Sequence, residues 1–442
     1  MIVTDLPGVP SLREYQRIVG EEQFSAIEEL GGRLSDVRLQ EINSTRHGGG
    51  VSEILISYVP FLNALGLETT WSVMEAEPAF FDVTKTLHNF LQGREGGFSP
   101  EMIETYWEAQ RQNEGLIEDD SDVVTIHDPQ PLGLIEFLTN RELERKRLLW
   151  RCHVQLETVP TTAVGSMGSI LRRLVEKYHA GIFSSFQYLP LWNVPSFIIP
   201  PFIDPLSEKN RELPPAETDA TLAKYGIDPE KPIVTQVSRY DVFKDPVGVI
   251  QAFKMVRRKT PCQLVLVGGR ACDDPECFIV LREVRETAED DPDIHILDLP
   301  PDSHREINAI QRASDVIVQK SIKEGFGLTV TEGLWKEKPV VAGSVGGIPL
   351  QIRDGWNGYL VSTIRETADR VLHLLRNPDT AREMGARGKE FVREYYLLTR
   401  GVQDHLTAID QVVNGRITAR DSVICYHPQV VTTRMAGYAA WQ

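Results

Sequence analysis

Apolar and polar positions along the chain follow two periods in alternation. Short apolar runs the length of a β-strand, about five residues, are separated by stretches in which apolar residues recur every three or four positions. Strands are predicted over residues 38–43, 67–74, 122–126, 150–156 and 180–184. After the first of them, Val51, Ile54, Leu55, Tyr58, Leu62 and Leu65 share one face of a helix that Gly66 closes. Helices are also predicted over 79–91, 100–116 and 166–178, and a helical pattern at 12–30 precedes the first strand. A proline-rich stretch, 190–215, reads as a linker. A second series then begins at Pro232, with strands in I-V-T-Q-V and over 263–267, 294–297, 315–319, 339–342 and 358–361. Its helices are predicted over 303–312, from near Leu328, and over 366–375, 380–395 and 399–413. The tail from Ser422 shows neither period. This alternation predicts an α/β fold of doubly wound parallel sheets, with ligands at the carboxyl ends of the strands. A chain of 442 residues is too long for one ordinary core. The expected division is an N-terminal Rossmann-like domain, 1–205, a second Rossmann-like domain, 206–395, and a tail, 415–442. The helix at 396–414 is expected to cross back onto the first domain.

The candidate chemistry sits at predicted strand ends. Between two strands of the second series runs S-I-K-E-G-F-G-L-T-V-T-E-G-L-W-K-E-K-P, starting at Ser321. Gly325 and Gly327 keep the loop free of side chains, and a helix start near Leu328 offers bare N–H groups to an anion. Glu324 lies before that helix and Glu332 inside it. Two carboxylates there suit hydroxyl donors, one from a sugar and one from a ribose. The plain alternative is a glycine-punctuated turn with two solvated glutamates. Gly48, Gly49 and Gly50 follow the first strand, where backbone approaches a diphosphate closely, or where the chain merely turns. Arg239 and Lys244, on the loop after the I-V-T-Q-V strand, are either a diphosphate clamp or two solvated cations. His127, Asp128 and His153 also fall at strand ends, where the histidines are either functional or buried structural groups.

Charge and composition narrow the classes. Hydrophobic residues make up 41% and charged residues 25%, the mix of a soluble globular protein. A formal net charge of -16 speaks against nucleic acid or an anionic membrane surface as partner. No apolar run reaches the length of a membrane span, about 18 residues. The start, M-I-V-T-D-L-P-G-V-P, lacks a basic segment followed by an apolar one, so the expected location is cytoplasmic. Five cysteines at irregular spacing form no disulfide framework, and no histidine-cysteine cluster suggests zinc.

The span from Glu324 to Glu332 resembles the Glu-x7-Glu signature of retaining glycosyltransferases of family 4, which have the GT-B fold. R-Y-D-V-F-K-D, with Arg239 and Lys244, resembles the Arg…Lys pair of that family. H-G-G-G-V-S-E, H-D-P-Q-P and W-R-C-H resemble the trehalose glycosyltransferring synthases, and the fungal trehalose phosphorylases have a related look. The pieces occur in family order over most of residues 37–414. The resemblance implies two Rossmann-like domains facing across a cleft. It implies that Glu324 holds the donor glucose and Glu332 the ribose, with Gly325, Phe326, Gly327, Leu328, Thr329, Gly49 and Gly50 around the donor. It places Asp128 and Gln130, with His127, at the acceptor glucose, and His153 beside the donor sugar and the reacting centre. Arg239, Lys244 and helix dipoles take the place of a metal. Asp119-Asp120 and Asp291-Pro292-Asp293 are therefore expected to be solvated loops, and neither metal nor cofactor is expected. The implied activity joins glucose from ADP-glucose or UDP-glucose to glucose, giving trehalose, reversibly, in a homodimer. A front-face route is implied for retention, while double displacement through a carboxylate stays open. The alternatives are a trehalose phosphorylase, a sucrose- or glucan-forming enzyme of family 4, or an inactive sugar-binding protein of the same fold.

Overall fold

The computed structural model describes residues 1–46, 49–91, 97–154, 156, 166–190, 192–269, 275–417 and 423–425. Contacts divide the chain into two units, Met1–Pro201 with Leu398–Gln442, and Phe202–Leu397. The first unit carries strands β1 (Leu39–Asn43), β2 (Thr69–Val73), β3 (Val123–His127), β4 (Arg147–Cys152), β5 (Ala180–Phe183) and β6 (Ser196–Ile198). The second carries β7 (Ile233–Val237), β8 (Gln263–Gly268), β9 (Ile294–Asp298), β10 (Val316–Gln319), β11 (Val340–Gly343) and β12 (Gly358–Val361). Strand β13 (Val423–Cys425) returns to the first sheet.

Paired strands run parallel in both sheets. Parallel sheets are covered on both faces, which is why β1, β3, β5, β7 and β8 are buried along their whole length. In β8, Leu264 and Leu266 pack into one core with Ile250, Phe253 and Val318. The intervening Val265 and Val267 pack on the other face with Ile233, Val237 and Ile310. The near-continuous apolar runs in the sequence are this two-sided burial.

The first sheet has the order β13-β6-β5-β4-β3-β1-β2, and the second β12-β11-β10-β7-β8-β9. The winding reverses between β1 and β3 in one and between β7 and β10 in the other. At such a point successive connections leave to opposite faces and open a crevice at the carboxyl ends.

Several predicted boundaries change. Strand β4 starts at Arg147 and stops at Cys152, where it faces Phe183, the last residue of β5. His153 therefore follows the strand, and its N–H goes to the Asp128 carboxylate at 2.8 Å instead of to a neighbouring strand. The proline-rich stretch is not all linker. It contains β6, whose three paired residues lie inside Pro195 and Pro200, so no ladder hydrogen bond is lost to proline. In the tail, β13 pairs with β6 in a run too short for a period to show. Gly20, at φ 90°, splits the first helical pattern into Leu12–Val19 and Glu21–Arg33. Helices Asn140–Arg145, Pro215–Lys224 and Pro275–Ala288 lie outside the predicted elements.

Candidate functional site

In the second unit, the loops leaving β7 and β10 carry the predicted residues. Helix Leu328–Trp335 begins at Gly327, whose φ of 84° and ψ of 64° favour glycine, and no side chain caps it. The N–H groups of Leu328 and Thr329 find no partner among the described residues, while Val330 N–H turns back to the Gly327 carbonyl at 2.9 Å. The turn after β11 holds the loop from behind. The Gly347 N–H donates to the Gly325 carbonyl at 2.9 Å, and a Cβ on Gly346 would fall 1.8 Å from the Glu324 carbonyl oxygen. Gln351 Nε2 donates to the Phe326 carbonyl at 2.5 Å, and Thr329 Oγ1 to the Val237 carbonyl at 3.1 Å. Phe326 is buried against Tyr396, ring centroids 5.7 Å apart. Phe326 and the Thr329 hydroxyl thus shape the loop from within the fold.

Glu324 Oε2 accepts from Lys244 Nζ at 2.5 Å, from Ser321 Oγ at 3.0 Å and from Gln319 Nε2 at 3.5 Å. Ile322 N–H donates to the Phe243 carbonyl at 2.8 Å, and Lys320 pairs with Asp245, so the two loops are tied together. Arg239 is not part of this knot. Its side chain is 62% exposed and lies 3.8 Å from Asp241.

Glu332 lies deeper, 1% exposed. Its Oε1 pairs with Lys209 Nζ at 2.9 Å and its Oε2 accepts from Gln311 Nε2 at 3.2 Å. Burial opposes its charge, but Lys209 and Lys336 outweigh burial and hold its pKa below the usual carboxylate value. Burial pushes Lys336 itself down to about 7, while its Nζ donates to Asn210 Oδ1 at 2.9 Å. Lys209 and Gln311 escaped the sequence analysis because nothing local marks them.

In the first unit, Gly49, at φ 134°, precedes helix Gly50–Ala64, which has no side-chain cap. Gly48, the other member of the predicted loop, lies outside the described residues. At the end of β3, Asp128 takes φ 62°, a left-handed conformation that aspartate tolerates better than most residues. Three bonds hold it there. Its N–H donates to the Arg151 carbonyl at 2.8 Å, its carbonyl accepts from Trp150 Nε1 at 2.9 Å, and its Oδ1 accepts from His153 N–H. Burial pushes the Asp128 carboxyl up to about 7. Gln130 Nε2 donates to His88 Nε2 at 3.1 Å, which burial keeps neutral by lowering the His88 pKa. Gln130 Oε1 is buried with no hydrogen-bond partner among the described residues.

His127 differs from expectation. Its Nε2 meets Glu41 Oε2 at 2.6 Å and its Nδ1 meets His153 Nε2 at 3.0 Å, the two imidazoles stacked at 5.3 Å and 11°. Neither ring nitrogen is left for an acceptor sugar, so His127 holds its neighbours instead. Glu41 was missed. A glutamate inside a strand buried on both faces was its only mark in the sequence.

The acidic pairs are not merely solvated. Asp120 pairs with Arg38 at 2.6 Å, Asp293 with Lys231 at 2.9 Å, and Asp291 with Arg257. Among the described residues no group of three histidine, cysteine or acidic side chains is placed to hold a metal, and no helix is long and apolar enough to cross a membrane. Chemically, the second unit offers a bare helix start and cations to an anion. The first offers acceptors for hydroxyl groups.

Residues 41–190 match the family described as trehalose synthase, N-terminal domain, and residues 217–391 match glycosyl transferases group 1. A trehalose synthase of Pyrococcus horikoshii is 44% identical over 411 residues, covering 92% of this chain and 97% of that protein. A trehalose phosphorylase of Pleurotus pulmonarius is 27% identical over 80% of this chain but only 54% of that longer protein. A solved structure described as trehalose-6-phosphate from E. coli bound with UDP-2-fluoro glucose superposes with a TM-score of 0.68 at 14% identity, over 86% of this chain and all of that one. Likeness at that identity establishes the fold, GT-B, built on the two doubly wound sheets.

Proposed function

We propose, since this chain belongs to the trehalose synthase family of glycosyltransferases, that it takes glucose from a nucleoside-diphosphate glucose, ADP- or UDP-linked, and transfers it to glucose. Trehalose formation follows from the family; the nucleotide donor, retention and reversibility are the proposal. One observation carries the donor assignment. Lys244 and Glu324 are paired beside the uncapped start of helix Leu328–Trp335. The diphosphate binds the bare N–H groups, with Lys244 and the exposed Arg239 neutralising the charge that grows as the sugar bond breaks. Glu324 then turns its carboxylate to the glucose hydroxyls, and the ribose shares Glu332 with Lys209 and Gln311. The acceptor glucose donates hydroxyls to Asp128 and to the unpartnered Gln130 Oε1. Its attacking hydroxyl forms the new glycosidic bond and gives its proton to the departing phosphate oxygen, on the same face, so configuration is retained.

A phosphorylase reading has one observation in its favour. Both Glu332 oxygens already hold protein partners, as they would if no ribose ever came. Incubating the protein with trehalose plus ADP, UDP or inorganic phosphate separates the two. The expected result is nucleotide-linked glucose with ADP or UDP, and α,α-trehalose from the reverse mixture. Glucose 1-phosphate formed with phosphate alone would replace the synthase by a phosphorylase.

A further inference from the structure

Glu41, His127 and His153 form a continuous hydrogen-bonded chain that starts in the core and ends where β4 stops. Glu41 and His127 are each 1% exposed, while His153 is half-buried. β1 and β3, which carry the first two members, are the strands between which the winding reverses. The chain therefore runs from the sheet into the crevice.

The order of protons follows from the two distances. A carboxylate only accepts, so the 2.6 Å contact puts the His127 proton on Nε2. Burial holds His127 neutral by lowering its pKa. Its Nδ1 then carries a lone pair, and the 3.0 Å contact requires His153 to donate from Nε2. Burial keeps His153 neutral too, with Arg151 and His127 adding to the effect. Nδ1 of His153 is left as an acceptor, and no hydrogen bond reaches it among the described residues. The backbone end of His153 is fixed separately, by its N–H to Asp128.

We infer that Glu41 is a positioning residue for glucose transfer: through His127 it sets the tautomer and plane of His153, so that His153 Nδ1 accepts a hydroxyl of the transferred sugar. This rests on the proposed reaction for its substrate, but not for its geometry. A carboxyl group deep in a strand is costly to bury unless it is hydrogen-bonded, and at Glu41 the His127 ring supplies that bond.

The test uses the full chain with Glu41→Leu and Glu41→Gln. Ring nitrogen NMR of histidine-labelled protein should show His153 protonated at Nε2 in the wild type and as a tautomer mixture in Glu41→Leu. Turnover of Glu41→Leu should fall by on the order of tenfold to 10²-fold, the scale of losing an outer partner of a functional histidine, with KM for the nucleotide-sugar rising by a smaller factor than turnover falls. Glu41→Gln, whose amide oxygen can still accept, should recover most of the turnover. A folded Glu41→Leu with wild-type turnover, or with His153 still in one tautomer, would overturn the inference. A tautomer shift in a protein that forms no trehalose from any nucleotide-sugar would uphold the chain and reject the reaction instead.

Discussion

Asp128 combines a left-handed backbone, three hydrogen bonds and a carboxyl raised to about 7 by burial. A raised carboxyl favours the folded state while neutral. That contribution is complete below its ordinary value of 3.8 and is lost as pH rises through about 7. An asparagine in its place would keep the shape, the tolerance for positive φ and the acceptor for His153 N–H, without the charge. The Asp128→Asn variant should therefore match the wild type near pH 4 in urea unfolding and become the more stable of the two towards pH 8. Parallel stability curves over that range would show that burial does not raise Asp128. The aspartate itself was legible in H-D-P-Q-P. Its strain was not, because φ is set by the bonds to Arg151 and Trp150, on another strand.

At the scale of elements, the loop from Glu324 to Gly327 owes its shape to the turn behind it. A Cβ at Gly346 would meet the Glu324 carbonyl at 1.8 Å, and φ is 55° there. Gly346→Ala should push the two loops apart, cost about 1–3 kcal/mol, the range for local backbone strain, and raise KM for the nucleotide-sugar more than for glucose. Gly355, at φ 76° with nothing within 4 Å of an added Cβ, serves as control. Gly355→Ala carries the backbone penalty without the collision. Thermal unfolding and donor titration of both variants make the comparison, and equal donor KM in the two would remove the turn from the donor site. The helix start near Leu328 and the strands on either side of it, 315–319 and 339–342, were legible in the sequence. That Gly346 props up Glu324 was not, since a glycine pair in sequence marks a turn but not what it touches.

Over the whole molecule, the two reversal points put the proposed acceptor residues in the first unit and most of the proposed donor residues in the second, with Gly49, Gly50 and His153 the exceptions in the first. The two functions should then separate by mutation. Asp128→Ala is expected to bind nucleotide-sugar with wild-type affinity in calorimetry while losing trehalose formation. Arg239→Ala is expected to lower kcat by roughly 10²-fold, the loss of one preorganised donor, and Arg239→Lys to restore it only in part, since the planar fork is gone. Full trehalose synthesis by Asp128→Ala would move the acceptor pocket elsewhere. What the sequence determined by itself was local. Periodicity fixed two strand–helix series, and Gly325 and Gly327 marked a loop and a helix start between Glu324 and Glu332. Only the tertiary structure decided that Lys209 neutralises Glu332, that Lys244 and not Arg239 meets Glu324, and that Glu41 reaches His153 through His127. Periodicity records how each residue is buried relative to its neighbours along the chain. The partner across a sheet is chosen by strand order and register, and those depend on packing among segments far apart in sequence.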